Sequence, residues 1–274
     1  MARHVIEALG KTRVVIEDGK VVEVGEPQIK YCPLFKKYRN IDEITPEIVR
    51  ENMEFRMETF GMCCDDRDVR MKDFLSFGVS EILSSALRHK HIDAAVIAAD
   101  GCGTVVVTDP EIVQGLGGRI SGLCETSPID TVIEGVGKEN VLDPDTAEIN
   151  MLAGAEKAKA MGYNVVAVTI TNAKNAAALR ERFGKDIIVI AVHTSGTCQC
   201  DAGSLFDECD IITACASEFV RNEAKSRDVL VVGNKIPIFG VSDVGKDLVR
   251  MRLEELGKQP SPPDEKQEPP SPLI

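Results

Sequence analysis

Ile92-Asp93-Ala94-Ala95-Val96-Ile97-Ala98-Ala99-Asp100-Gly101-Cys102-Gly103-Thr104 decides the fold class. From Ile92 to Ala99 every residue but Asp93 is apolar, and the run stops abruptly at a polar, glycine-rich pentapeptide. A strand buried on both faces reads this way, because helices packed on both sides of a parallel sheet leave no wet face for polar side chains. A second such run covers 187–192 and ends in His193-Thr194-Ser195-Gly196-Thr197. Further strands are expected at 165–170, 210–214 and 229–232. Helices are expected over 143–161, 172–184, near 205, over 218–224 and over 242–256. Strands that alternate with helices of this length argue for crossover connections and parallel pairing. The expected fold is α/β, a Rossmann-like three-layer arrangement with mostly parallel strands.

Upstream, Thr12-Arg13-Val14-Val15-Ile16-Glu17 and Lys20-Val21-Val22-Glu23-Val24 flank Asp18-Gly19. Asp-Gly between β-branched runs predicts a hairpin, since both residues tolerate a positive φ. Thr45-Pro46 predicts a helix start, with Thr as N-cap and Pro in the first turn. Gly61 can end that helix, and another is expected over 79–88. The organisation expected is an N-terminal β-hairpin segment (1–35), a first α/β lobe with glycine-rich loops (36–142), a second α/β lobe (143–256) and a disordered tail (257–274). Six of the 13 prolines fall in that tail, at 260, 262, 263, 269, 270 and 272. So little apolar surface there does not offset chain entropy.

Composition narrows the function. The charge of −12, no tryptophan and 4% aromatics disfavour nucleic acid and anionic membranes, because an acidic surface repels phosphate and offers few bases a stacking platform. No apolar run nears the ~20 residues of a bilayer span, and the first residues lack the long apolar segment of a secretion signal. A cytoplasmic location is the expectation. Nine cysteines, an odd number, fit free thiols, metal ligands or core residues better than a disulfide framework in that setting.

Familiar signatures fail. Gly10-Lys11-Thr12 imitates the end of a P-loop, but position 5 is Val, not Gly. Gly115-x-Gly117-Gly118 lacks dinucleotide-binding spacing.

Four strand-exit segments can carry chemistry. Asp100, Gly101, Cys102, Gly103 and Thr104 follow the first buried run, where ligands bind in open α/β sheets. Glycines allow close approach to backbone N–H groups, and Asp100 can accept a proton or Cys102 attack or ligate. A tight strand-exit turn that needs positive φ explains the same residues about as well. Gly117, Gly118 and Arg119 lie in a glycine-rich loop over 115–122, where a guanidinium offers a fork to a carboxylate or phosphate. A solvated arginine on a surface loop is the plainer alternative. His193, Thr194 and Ser195 leave the second buried run. His193 suits acid–base work, or metal binding together with Cys198 and Cys200, although C-x-C is not the spacing of common zinc or iron–sulfur sites. Asn234 and Lys235 follow the strand at 229–232, and Lys235 can meet an anion or simply occupy a surface turn.

Several long blocks resemble methanogenesis marker protein 8: Arg3 to Cys32, Met71-Lys72-Asp73-Phe74-Leu75-Ser76-Phe77-Gly78, Ala99 to Gly122, Ala191-Val192-His193-Thr194, and Val232-Gly233-Asn234-Lys235-Ile236-Pro237. Together they reach from position 1 to about 256. The resemblance implies a cytoplasmic protein of methane-producing archaea. It brings no assigned reaction and no catalytic residues. An anaerobic setting favours thiolate-bound metal or an iron–sulfur cluster as cofactor.

Three functions follow as expectations. The first, implied by the resemblance, is an accessory role in maturing or activating methyl-coenzyme M reductase or its cofactors, with the reductase's assembly factors as partners. The second is an enzyme acting on a small anionic metabolite, motivated by Asp100, Arg119, His193 and Lys235 at strand exits. The third is a non-catalytic metal or iron–sulfur protein.

Overall fold

The computed structural model describes residues 2–72, 77–118, 122–233, 236–260 and 268–274. Strands β1 (Arg3–Ala8), β2 (Thr12–Glu17) and β3 (Lys20–Val24) open the chain. The expected hairpin is β2–β3, and both turn residues have positive φ, 46° at Asp18 and 72° at Gly19. Helices α1 (Pro33–Arg39), α2 (Pro46–Phe60) and α3 (Val79–Arg88) follow. Thr45 caps α2 through its side chain, and Gly61 ends it at φ 64°, as the sequence predicts.

Next come β4 (Ala94–Ala99), β5 (Gly103–Val107), α4 (Pro110–Gly117), β6 (Gly122–Glu125) and α5 (Asp130–Val136). Of the expected glycine-rich loop over 115–122, Gly115 to Gly117 belong to α4 and Gly122 to β6, while 119–121 lie outside the described residues. Gly115 sits inside α4 because a Cβ there would lie 2.3 Å from the Val69 carbonyl oxygen; the glycine serves close packing rather than flexibility.

The rest alternates as expected up to β10: α6 (Met151–Ala160), β7 (Val166–Ile170), α7 (Ala173–Phe183), β8 (Ile187–Ala191), α8 (Gln199–Glu208), β9 (Ile211–Thr213), α9 (Glu218–Ala224) and β10 (Leu230–Val232); a strand that the sequence reading lacks, β11 (Ile238–Gly240), then precedes α10 (Asp243–Glu255). The helix expected over 143–161 starts only at Met151. Asp143 instead closes a local turn by accepting bonds from the Asp145 and Thr146 amides.

Two sheets result. The larger runs β10-β11-β9-β8-β7-β4-β5 and the smaller β3-β2-β1-β6. Parallel pairing joins β4, β7, β8 and β9, while β5, β11 and β10 pair antiparallel. "Mostly parallel" is thus too strong for the whole sheet: Gly101 and Gly103 turn β4 straight back into β5, and β11 enters between β9 and β10. The small sheet is antiparallel throughout, and β6 joins β1 from 120 residues away in the chain, a pairing that no local signal announces.

Alternate side chains of the buried strands feed two cores. Ala95, Ile97, Ile188 and Ile190 pack under α3, α4, α5 and α10. Ala94, Val96, Val168 and Val189 pack under α6, α7, α8 and α9. The parallel strands advance in one direction, so crossovers of one hand place α6, α7 and α8 on one face. The small sheet has its own core, with Ile6, Val14 and Ile16 against Val49, Met53 and Met57 of α2.

The tail expectation needs correction at its far end. Ser271 exchanges backbone bonds with Tyr31, and Ile274 donates to the Ala216 carbonyl while its own oxygen accepts from Gly196 and Glu218. Proline-rich composition argued for disorder, yet extended backbone can dock on existing edges by hydrogen bonds alone. No helix among the described residues is long and apolar enough to cross a membrane.

Candidate functional site

A cavity of about 740 Å³ lies between the carboxyl ends of the parallel strands and the small sheet. Ala98 of β4, Thr169 and Ile170 of β7, Val192 and His193 after β8, and Thr213 and Cys215 at the end of β9 form its floor. Glu7 of β1, Gly10 and Lys11 of the β1–β2 connection, Cys32, Phe35 of α1 and Arg56 of α2 form the opposite wall. The site follows the rule for open α/β sheets, with a second sheet supplying the far wall. Its size falls in the range of small-molecule sites.

Two titratable residues of this cavity hold left-handed backbone, Lys11 at φ 56° and His193 at φ 54°. Each costs of order 1 kcal/mol, and such strain concentrates at functional sites. At Lys11 the tight connection is the cause. Gly10, at φ 72°, is packed so closely that a Cβ would lie 2.8 Å from the Ile29 carbonyl oxygen. The Lys11 ammonium lies 3.0 Å from Glu7, and its stem crosses Gly196, where a Cβ would meet Lys11 Cε at 3.0 Å. The strand exit after β8 therefore needs its glycine to let this lysine through.

His193 keeps accessible surface while lining the cavity. Protein packed around the ring lowers its pKa; Glu7 opposes the shift, whereas Lys11 and Arg56 add to it. The imidazole is therefore neutral near pH 7 and open to a ligand. Burial, with Arg39 as a like-charged neighbour, pulls the Arg56 guanidinium down to about 10, so it stays cationic at neutral pH.

Three helix starts border the same space: Val79, Ser80 and Glu81 of α3, Met151 of α6 with Asn150 just before it, and Asn175 of α7 with Thr171 ahead of its first residue. The first amides of a helix have no partner inside it and carry partial positive charge. Glu81 is buried in that wall, fixed by Gln114 Nε2 at 2.7 Å and Ser80 Oγ at 3.1 Å.

The sequence candidates divide. His193 and Ser195 line the cavity, as do Gly117 and Gly118. Thr194 is buried and donates to the Thr213 carbonyl at 2.6 Å, so it braces β8 against β9. Arg119, Asn234 and Lys235 lie outside the described residues.

Asp100 to Thr104 do not line the cavity among the described residues. Asp100 is fully buried, accepting from Arg67 Nε at 3.1 Å and the Cys63 amide at 2.8 Å. Gly101 and Gly103 have φ of 82° and 66°, and a Cβ on Gly103 would lie 2.1 Å from the Ala147 carbonyl oxygen. Thr104 accepts from the Asn150 amide at 2.8 Å. The Cys102 thiol is buried, and burial pushes its pKa far up. The segment is a hairpin turn welded to its surroundings, and the turn reading of its sequence is the one the geometry favours.

Cys198 and Cys200 are exposed, with sulfurs 2.8 Å apart, and the third potential ligand beside them is Asp201 rather than His193. Cys32 and Cys215 both line the cavity. Burial first, then Cys32, pushes the Cys215 thiol up to about 11, so it carries no charge at neutral pH.

Lys11, Arg56 and Glu81 escape sequence reasoning. Lys11 sits in the string dismissed as a failed P-loop, Arg56 lies within an ordinary amphipathic helix, and Glu81 occupies a helix first turn. The one available signal was glycine beside lysine, Gly10-Lys11, just ahead of the first expected strand.

Residues 4–254 match a family described as an uncharacterized protein conserved in archaea (DUF2099). The chain is 47% identical over 265 residues to the uncharacterized protein MJ0054 of Methanocaldococcus jannaschii, covering 94% of this chain and 93% of that protein.

Proposed function

We propose, for a chain that belongs to this family of proteins conserved in archaea (DUF2099), that the cavity binds a small anionic metabolite and that His193 exchanges a proton with it. One observation carries the reading: the starts of α3, α6 and α7 open on the same cavity as Arg56 and His193. Helix starts and a guanidinium both select carboxylate or phosphate. A neutral imidazole beside the bound group is poised to accept a proton. The parallel core is read as Rossmann-like in this functional sense, with the ligand beyond the carboxyl ends of its strands.

Calorimetric titration with inorganic phosphate and with a short dicarboxylate tests the proposal. Saturable binding to the full chain, weakened in Arg56→Met, is the expected result. Absence of binding by both anions would overturn it.

A second reading places the protein in methanogenesis, as an accessory to maturation of methyl-coenzyme M reductase or its cofactors. The resemblance to methanogenesis marker protein 8 supports it, and it concerns setting rather than chemistry. Co-purification with reductase assembly factors is its expected outcome; unchanged reductase activity in a deletion strain would sink it.

A further inference from the structure

Away from the cavity, the start of α8 carries an unused set of donors. Cys198 is the residue before the helix, and Cys200 and Asp201 occupy its first turn. One ligand atom from each lies within 4.8 Å of the others. The two sulfurs are 2.8 Å apart, and Cys200 Sγ lies 3.8 Å from Asp201 Oδ1. All three side chains are exposed, and none lines the cavity.

The scaffold beneath them is rigid. Ala202, Leu205 and Phe206 bury the opposite face of α8. The preceding loop is pinned by Thr197, whose amide and hydroxyl both donate to the Thr194 carbonyl, at 3.1 and 2.7 Å. Cys198 makes no capping bond with its side chain, so its sulfur is not committed to the helix. The anchored helix start holds the three donors together on one backbone, and their exposed side chains are left to adjust to an ion.

We propose that Cys198, Cys200 and Asp201 form a surface site for a thiophilic divalent cation, zinc above all. Thiolates select soft and borderline ions, and two sulfurs with one carboxylate suit zinc better than calcium or magnesium. Three protein ligands leave one tetrahedral position for water or a partner's side chain. Zinc–sulfur bonds of ~2.3 Å spread two thiolates to about 3.8 Å apart, a movement that exposed side chains can make by rotating. Binding one ion displaces two thiol protons to solvent and changes no oxidation state. His193 is not a ligand in this arrangement, unlike the set that the sequence alone suggests. The site stands independently of the anion-binding cavity.

The test uses the full chain, purified anaerobically, reduced and stripped of metal. Cobalt(II) is titrated in and followed by its thiolate charge-transfer and d–d absorption; zinc is then measured by competition with a chromophoric chelator. One equivalent with tetrahedral d–d bands is expected. Cys198→Ser and Cys200→Ser should each lose the charge-transfer band, Asp201→Asn should weaken zinc in the competition, and His193→Gln should leave both readouts unchanged. Circular dichroism confirms that each variant is folded. Three results would overturn the proposal: no stoichiometric binding, binding that survives Cys198→Ser/Cys200→Ser, or loss of binding in His193→Gln with Asp201→Asn unaffected. Alkylation and mass spectrometry of the anaerobically isolated protein add a fourth: a Cys198–Cys200 disulfide as the resident state would replace a metal site with a redox pair.

Discussion

Arg67 Nε lies 3.1 Å from Asp100 Oδ2, and neither side chain has any exposed surface. Arg67 also donates to the carbonyls of Gly115 at 3.0 Å and Asp68 at 2.6 Å. One guanidinium thus ties the loop after α2 to the end of β4 and the body of α4. The pair locks the small sheet's helix against the large sheet, and the strand exit at Asp100 is structural for that reason.

Removing one partner leaves the other charge buried without its counter-charge. Asp100→Asn or Arg67→Met should each cost about 3–5 kcal/mol in denaturant unfolding. The double variant Arg67→Met/Asp100→Leu should cost much less than the two losses added together, because no charge is then stranded.

Gly103→Ala should destabilise strongly, because its Cβ would lie 2.1 Å from the Ala147 carbonyl oxygen at φ 66°. Gly162→Ala is the control: φ is 93° but nothing lies within 4 Å, so only backbone strain of roughly 1 kcal/mol remains. Thermal unfolding of the two variants side by side separates clash from strain.

Burial lowers the pKa of His4, and protein packed around the cavity-lining ring lowers that of the exposed His193. At His4 the charges of Asp100 and Glu125 oppose the shift; at His193 Glu7 opposes it, and Lys11 and Arg56 add to it. The folded protein therefore takes up these protons less readily than the unfolded chain. Their stabilisation is complete above the unfolded histidine pKa of about 6.5 and is lost as pH falls from there through the depressed folded values. Glu255, held at about 2 against an ordinary 4.5, yields its share only in a lower window. Unfolding midpoints measured from pH 8 to pH 5 should fall in the native chain and fall less in His4→Gln.

The fold was legible where periodicity is local. The runs at β4 and β8, the Asp18-Gly19 turn and the Thr45 cap each depend on near neighbours. Pairings over long separations were not legible. Nothing near Gly122 tells that β6 completes the small sheet, and nothing near Asp100 tells that Arg67 will neutralise it from 33 residues away. The site divides likewise. His193 at the end of a buried run was readable, whereas Lys11 and Arg56 reach the cavity only because a second sheet folds over the first.

Arg56→Met should lower anion affinity about tenfold, the scale of one charge-assisted hydrogen bond. Affinity in the native chain should rise as pH falls through the lowered His193 pKa, since imidazolium adds a positive charge beside Lys11 and Arg56. That rise should vanish in His193→Gln.

The most direct measurement is an NMR titration of the His193 imidazole, assigned by His193→Gln, with inorganic phosphate and a short dicarboxylate. A saturable shift of the His193 resonances and a raised His193 pKa in the bound state, both weakened in Arg56→Met, are expected. Resonances of His193 that ignore every anion, or that respond identically in Arg56→Met, would contradict it.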